Sequence, residues 1–143
     1  MISIIQAIIA AMTGSPTFIY GDAGWNNFKG DNTASFPVVF LNEPLMSNDT
    51  LHQGGYYEEE YPLQMLFLKK SKLSWTPEEH HVVIDAMRTL RREFVNRLQD
   101  NAAVNTLTGF STTDVINVMD LNLSGVLIEF NCKLFNTESN CTS

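Results

Sequence analysis

Glu78, Glu79, His80, His81 and Asp85 are side chains able to bind a divalent metal or to move a proton, gathered within eight residues. On a helix, His81 and Asp85 lie four apart and share a face. The zinc-protease pattern, two histidines four apart with a glutamate between them, is absent. Helix capping already accounts for both glutamates. His80 falls on the rim of an apolar stripe and His81 on the wet face. A second acidic group, Glu58, Glu59 and Glu60, has the composition of a cation site or of paired acids. Neighbours on a strand point to opposite faces, so only Glu58 and Glu60 share a side. They read as a solvated or interface strip, whose functional form is a ring of carboxylates lining a pore or pairing with a neighbour's arginine. A hydrolase would have to work with Glu58, Glu60, His80 and His81. The chain has three histidines in all, no glycine-rich phosphate loop followed by a helix and no nucleophile elbow. Neither Cys132 nor Cys141 has a histidine partner in its sequence context. The expectation is a protein without an active site, metal or cofactor.

Other residues stand out for contact rather than chemistry. Arg91 falls near the middle of the apolar stripe of a helix, between Phe94 and Ile84. It is either a stem that snorkels its head to water or half of an ion pair across a subunit boundary. Leaving a buried guanidinium unpaired costs roughly 3–5 kcal/mol, and Asp120 or the Glu58–Glu60 strip are the candidate partners. Trp25 and Phe28 sit in a turn-rich stretch, where they either tack the loop to the body or meet a partner.

The elements that must carry these residues follow from periodicity. Ile2, Ile4, Ile5, Ile8, Ile9 and Met12 share one side at 100° per residue, which predicts an amphipathic helix over Met1–Met12, stopped by Gly14, Ser15 and Pro16. Its polar side lacks the Lys and Arg of an interfacial membrane helix. It is too short to span a bilayer, and a secretory signal needs a positive charge earlier than the first one, Lys29. Thr17–Tyr20 predicts a short strand, and the run FPVVFL at 36–41 a strand buried on both faces. Residues 21–35 and 42–55 read as long loops. Tyr56–Lys70 predicts the longest strand, with Leu63, Met65 and Phe67 on one side and an interruption or sheet edge at Pro62. Thr76, Pro77 and Glu79 mark a helix start, Asp100 and Asn101 its end, and Glu93 and Arg97 make an i,i+4 pair on its outside. Asn105–Thr113 reads as a polar connection. Val115–Leu121 and Val126–Phe135 predict a closing hairpin turned at Asn122–Gly125, with Cys132 on its buried side and a loose tail at 136–143. The fold class is α+β: a mostly antiparallel sheet packed against an N-terminal helix and one long central helix, ending in a β-hairpin, in a single domain over residues 1–143.

Bulk properties narrow the function classes. The chain has 143 residues, 44% of them hydrophobic and 17% charged, as in ordinary globular proteins. With nine basic residues and a net charge of −7, it lacks the cations that tight wrapping of nucleic acid needs. Like charge suits a channel through which DNA slides without sticking. Two cysteines make no disulfide framework. The triplets at Asn48, Asn122 and Asn140 match the glycosylation pattern, as short patterns often do by chance.

The order of these segments is a helix, the strand FPVVFLNEP, the long strand YYEEEYPLQMLFLKK, a helix capped by TPEE, and the hairpin VMDLNLSGVLIEFNCKL. It resembles the tail terminator (tail-completion) and related neck proteins of tailed bacteriophages over Met1–Phe135. The resemblance implies a virion protein, assembled in the host cytoplasm, that self-associates into a closed ring, a hexamer or, near the portal, a dodecamer. Such a ring joins portal or head-completion proteins to the tail, stacks on neighbouring rings and passes genomic DNA through its bore. The two long loops would be ring or stacking contacts. Arg91, Glu58, Glu60, Trp25, Phe28 and Asp120 are the candidate subunit contacts from the residue reading, since the resemblance carries no residue-level motif. The neighbouring alternatives are a head–tail adaptor or a tail tube subunit. A small soluble binding module or pilot subunit of a non-viral secretion machine, and the hydrolase named above, belong to other classes.

Overall fold

The computed structural model describes residues 1–20, 37–42, 47–51, 57–72, 74–118 and 123–135. In chain order these form α1 (Ile2–Ala11), β1 (Thr17–Tyr20), β2 (Val38–Leu41), β3 (Asn48–Leu51), β4 (Tyr57–Lys70), α2 (Pro77–Gln99), β5 (Val104–Val118) and β6 (Leu123–Phe135). The fold is α+β, with one mostly antiparallel sheet. Its strand order is β1-β2-β4-β6-β5, and β3 pairs with the start of β4. β1 and β2 form the parallel pair; the β2–β4, β3–β4, β4–β6 and β5–β6 ladders are antiparallel.

Period-two alternation sorts the sheet's side chains between two faces. On one face, Leu63, Met65 and Phe67 of β4 and Val126, Ile128, Phe130, Cys132 and Leu134 of β6 pack with both helices. Ile5, Ile8, Ile9 and Met12 come from the α1 side, and Val83, Ile84, Met87, Leu90, Phe94 and Leu98 from α2. Phe94 and Phe67 meet with ring centroids 5.7 Å apart. A smaller buried cluster, Val38, Phe40, Leu66, Leu68 and Leu123, lies on the opposite face. β2 therefore buries all four of its side chains, two toward each face, as its unbroken apolar run predicts.

The helices begin and stop where local chemistry says. Thr76 Oγ1 accepts the Glu79 N–H at 3.4 Å and Pro77 opens the first turn of α2. α1 ends where Met12 turns extended (φ −74°, ψ 154°), one residue before the expected stop, and Gly14 (φ 81°) and Ser15 (φ 46°) then take left-handed conformations that turn the chain toward β1. Glu93 then ties the end of α1 to α2: it accepts the Thr13 N–H and hydroxyl, both at 3.0 Å. Those bonds, the backbone one foremost, hold its carboxyl below the usual carboxylate range, with help from Arg97 one turn on. Pro62 falls between the β3 ladder, which ends at Glu60, and the β2 ladder, which starts at Met65. Neither ladder on that edge asks for the N–H it lacks.

Three expectations are corrected. The connection at Asn105–Thr113 is strand: β5 runs from Val104 to Val118. Its register shifts at Val104/Thr106, Thr108/Ser111 and Val115/Val118, and such bulges destroy the period-two signal while keeping the pairing. The stretch read as one loop at 42–55 contains β3, whose Asn48, Asp49 and Thr50 are opposite Glu60, Glu59 and Glu58. Leu123, Ser124 and Gly125 open β6 rather than turn the hairpin. Gly125 is there because backbone passes close: a Cβ would collide with the Phe67 carbonyl and press on the Met87 side chain.

Candidate functional site

The chemistry-bearing residues are dispersed. His80, in the first turn of α2, is buried at 5% exposure, deeper than a place on the rim of the stripe implies. Ser124 Oγ lies 3.4 Å from its Nδ1 and donates to or accepts from Ser71 Oγ at 2.8 Å. Trp75 meets the imidazole edge-on at 5.6 Å. These contacts enclose the ring beneath the start of α2, where a substrate has no approach. His81 and Asp85 are exposed on the other side of the helix. Glu58 and Glu60 share a face, as expected, and by alternation with Gln64 and Leu66 it is the face away from the helices. Glu60 is opposite Lys133 and Glu58 opposite Phe135. Ser124, beside His80, is eleven residues from Phe135 along β6, roughly 36 Å at the rise of a strand. The acidic pair and the histidines are thus at opposite ends of the sheet, and the four do not assemble into one site. Among the described residues no three His, Cys, Asp or Glu side chains stand close enough to share a metal ion.

The two depressions offer little chemistry. One, about 380 Å³, lies on the outer sheet face among Pro62, Gln64, Gly109, Glu129 and Asn131. Its polar groups are occupied with each other: Gln64 Nε2 donates to Glu129 Oε1 at 3.1 Å and Asn42 Nδ2 donates to Gln64 Oε1 at 2.5 Å. The other, about 410 Å³, is an open groove between Ala7 and Ala11 of α1 and Arg97 and Asp100 at the end of α2. Cys132 is buried, and burial pushes its thiol up to about 11, which makes it a core residue rather than a nucleophile.

Arg91 is half-buried in the stripe, and its Nε is enclosed with no hydrogen-bond partner among the described residues. Its neighbour Arg88, one turn back, grips Asp114 of β5 at 2.6 Å. Within one chain Glu58 and Glu60 cannot serve Arg91, because the sheet separates them from α2. Asp120, Trp25 and Phe28 lie outside the described residues.

What remains is the end of the sheet. β5 pairs with β6 on one side, and among the described residues nothing pairs with its other side. Over fifteen residues it has one charge, Asp114, and no proline. Asp114 is turned toward α2 by Arg88. Phe110 stacks on Phe130 at 4.8 Å and is still 38% exposed, and Ile116 is 51% exposed. Natural edge strands are guarded by lysines, prolines or short length; β5 has its bulges alone. Reading Asn105–Thr113 as a connection concealed this edge. Four threonines between 106 and 113 were the available signal, since β-branched residues favour strands.

No helix among the described residues is long and apolar enough to cross a membrane. No protein-family model matches the chain, and no curated protein matches its sequence.

Proposed function

We propose that the chain is a structural virion subunit of a tailed bacteriophage. It forms a closed ring in the neck or at the top of the tail, joins portal or head-completion proteins to the tail and lets DNA pass through its bore. The observation that carries this reading is the long, almost uncharged edge of β5, unpaired among the described residues, on a sheet whose helix-covered face is filled by apolar packing. An edge of that kind selects for a partner strand, and a soluble protein tolerates it when assembly covers it. The order of helix, short strand, long strand, capped helix and hairpin on which the resemblance was read is kept in the fold, with β3 added to it. The net charge of −7 suits a conduit that must not hold the polymer passing through it. Arg91, whose Nε is enclosed with no partner among the described residues, is half-buried, and the rest of its guanidinium is the part that a neighbouring copy's carboxylate would meet.

Native mass spectrometry and negative-stain microscopy of the purified chain test the proposal, alone and with portal and tail-tube proteins. The expected result is a closed ring of six or twelve copies, as the resemblance implies, with an open centre. A strict monomer under all these conditions overturns it.

A further inference from the structure

We infer that successive copies join sheet to sheet, the β5 edge of one taking the β1 edge of the next in an antiparallel ladder. The inference rests on the ring reading and names the surface through which the ring is made.

The registers place one band of residues side by side across the sheet. Thr17–Tyr20 of β1 pairs with Val38–Leu41, these with Leu68–Met65, these with Gly125–Ile128, and these with Val115–Thr112 of β5. The two ends of the sheet that the described residues form are therefore level with each other. They also run in opposite directions: β1 is parallel to β2, and three antiparallel steps lead from β2 to β5. Copies related by rotation about a ring axis keep the axial component of their strand directions, so with strands running along that axis β5 of one meets β1 of the next antiparallel, the more stable pairing.

The local fit is consistent. Ser111–Val115 is the longest stretch of β5 without a register shift, and β1 is four residues long. Thr17 gives its N–H to the Pro37 carbonyl at 3.0 Å. Alternation then directs the backbone groups of Phe18 and Tyr20 away from β2. At equal height Thr113 faces Ile19 of the next copy, and Asp114 faces Phe18. The faces agree as well: Ile19 packs with the outer cluster, and Thr113 pairs with Leu127 of that cluster, whereas Phe18 and Asp114 lie on the helix side. β1 contains no charge, so nothing in it repels Asp114.

β3, the other short strand, fits worse. It bears Asp49, and through Glu60 and Lys133 it is level with Thr106, beside a register shift in β5. A twofold β5–β5 pair would stop at two copies and leave β1 unused.

The test uses the full chain with Cys141→Ser, carrying Ile19→Cys and Thr113→Cys together or singly, oxidised after assembly. The double variant is expected to give a ladder of disulfide-linked multimers that ends at the ring order, and each single variant none. Thr113→Lys, exposed in the monomer, is expected to abolish rings while leaving the monomer's melting temperature unchanged. Dimers from Thr113→Cys alone assign β5 to a twofold contact and overturn the inference. Rings that form normally with Thr113→Lys and yield no ladder overturn the junction and leave the ring reading standing. A wild-type chain that stays monomeric with its partners present overturns both.

Discussion

At Arg91 the sequence exposes a conflict that the described residues of the chain do not resolve. Its position in the apolar stripe buries the stem, and Nε is enclosed without a partner. A buried donor left unmade costs about 1–3 kcal/mol. Arg91→Met keeps an unbranched stem and removes that donor. It is expected to raise the stability of the monomer by about 1 kcal/mol, read from the urea midpoint at unchanged slope. The same variant is expected to weaken assembly, which native mass spectrometry reads; loss of both in equal measure would make Arg91 a folding residue only. Cys132 makes the opposite case, a residue whose burial is complete and whose chemistry is silenced. Burial pushes its folded thiol up to about 11, above the ordinary thiol range. The folded state therefore keeps a proton that the unfolded chain gives up sooner. Its contribution is full below the ordinary thiol range and is lost as pH rises toward 11. In a Cys141→Ser background the folded chain is expected to resist alkylation at pH 8, and the unfolded chain to react fully.

At the scale of elements, capping and close approach decide what a substitution does. Thr76 holds the Glu79 N–H at the start of α2, so Thr76→Ala is expected to cost about 1 kcal/mol. Gly125→Ala inserts a methyl against the Phe67 carbonyl and Met87, and is expected to cost about 1–3 kcal/mol by forcing β6 away from β4. Thermal or urea unfolding monitored by circular dichroism orders the two. Their legibility in the sequence differed. The capped helix, the isoleucine face of α1 and the alternation of β6 were readable because each expresses one period without interruption. β5 was not: three register shifts broke its alternation, and as an edge strand it has an exposed face that a core-seeking pattern does not mark. β3 is three polar residues and Leu51, whose pairing with the start of β4 no local signal announces. The histidine pair was sorted by helical angle into inside and outside, but the depth of His80 depended on Ser124, forty-four residues away, and on Trp75. The proposed contact surface inherited the same blindness, since β5, the strand it rests on, was the one misread.

Across the whole molecule, α1 shares the core that α2 and the sheet build, yet its end is tied to α2 through Glu93, which accepts both donors of Thr13. Those bonds favour the carboxylate and lower its pKa. A carboxyl whose folded pKa is depressed stabilises the fold above the unfolded value and loses that contribution as pH falls through the folded one. The window is therefore the acid end of the carboxylate range. Glu93 is only partly buried, so solvent screens the effect. What is lost locally is the tie between the turn after α1 and the middle of α2. Acidification is then expected to release amide protection in α1 before the central strands open, because Met65, Phe67 and Ile128 remain fully buried whatever the charge of Glu93. Glu93→Gln keeps an acceptor for Thr13 but cannot titrate. In that variant the early loss of α1 protection should no longer depend on pH, and hydrogen exchange followed across the acid range separates the two chains. If α1 and the β4–β6 ladder lost protection together in the wild type, the helix would be an inseparable part of the core and the Thr13–Glu93 tie incidental to it.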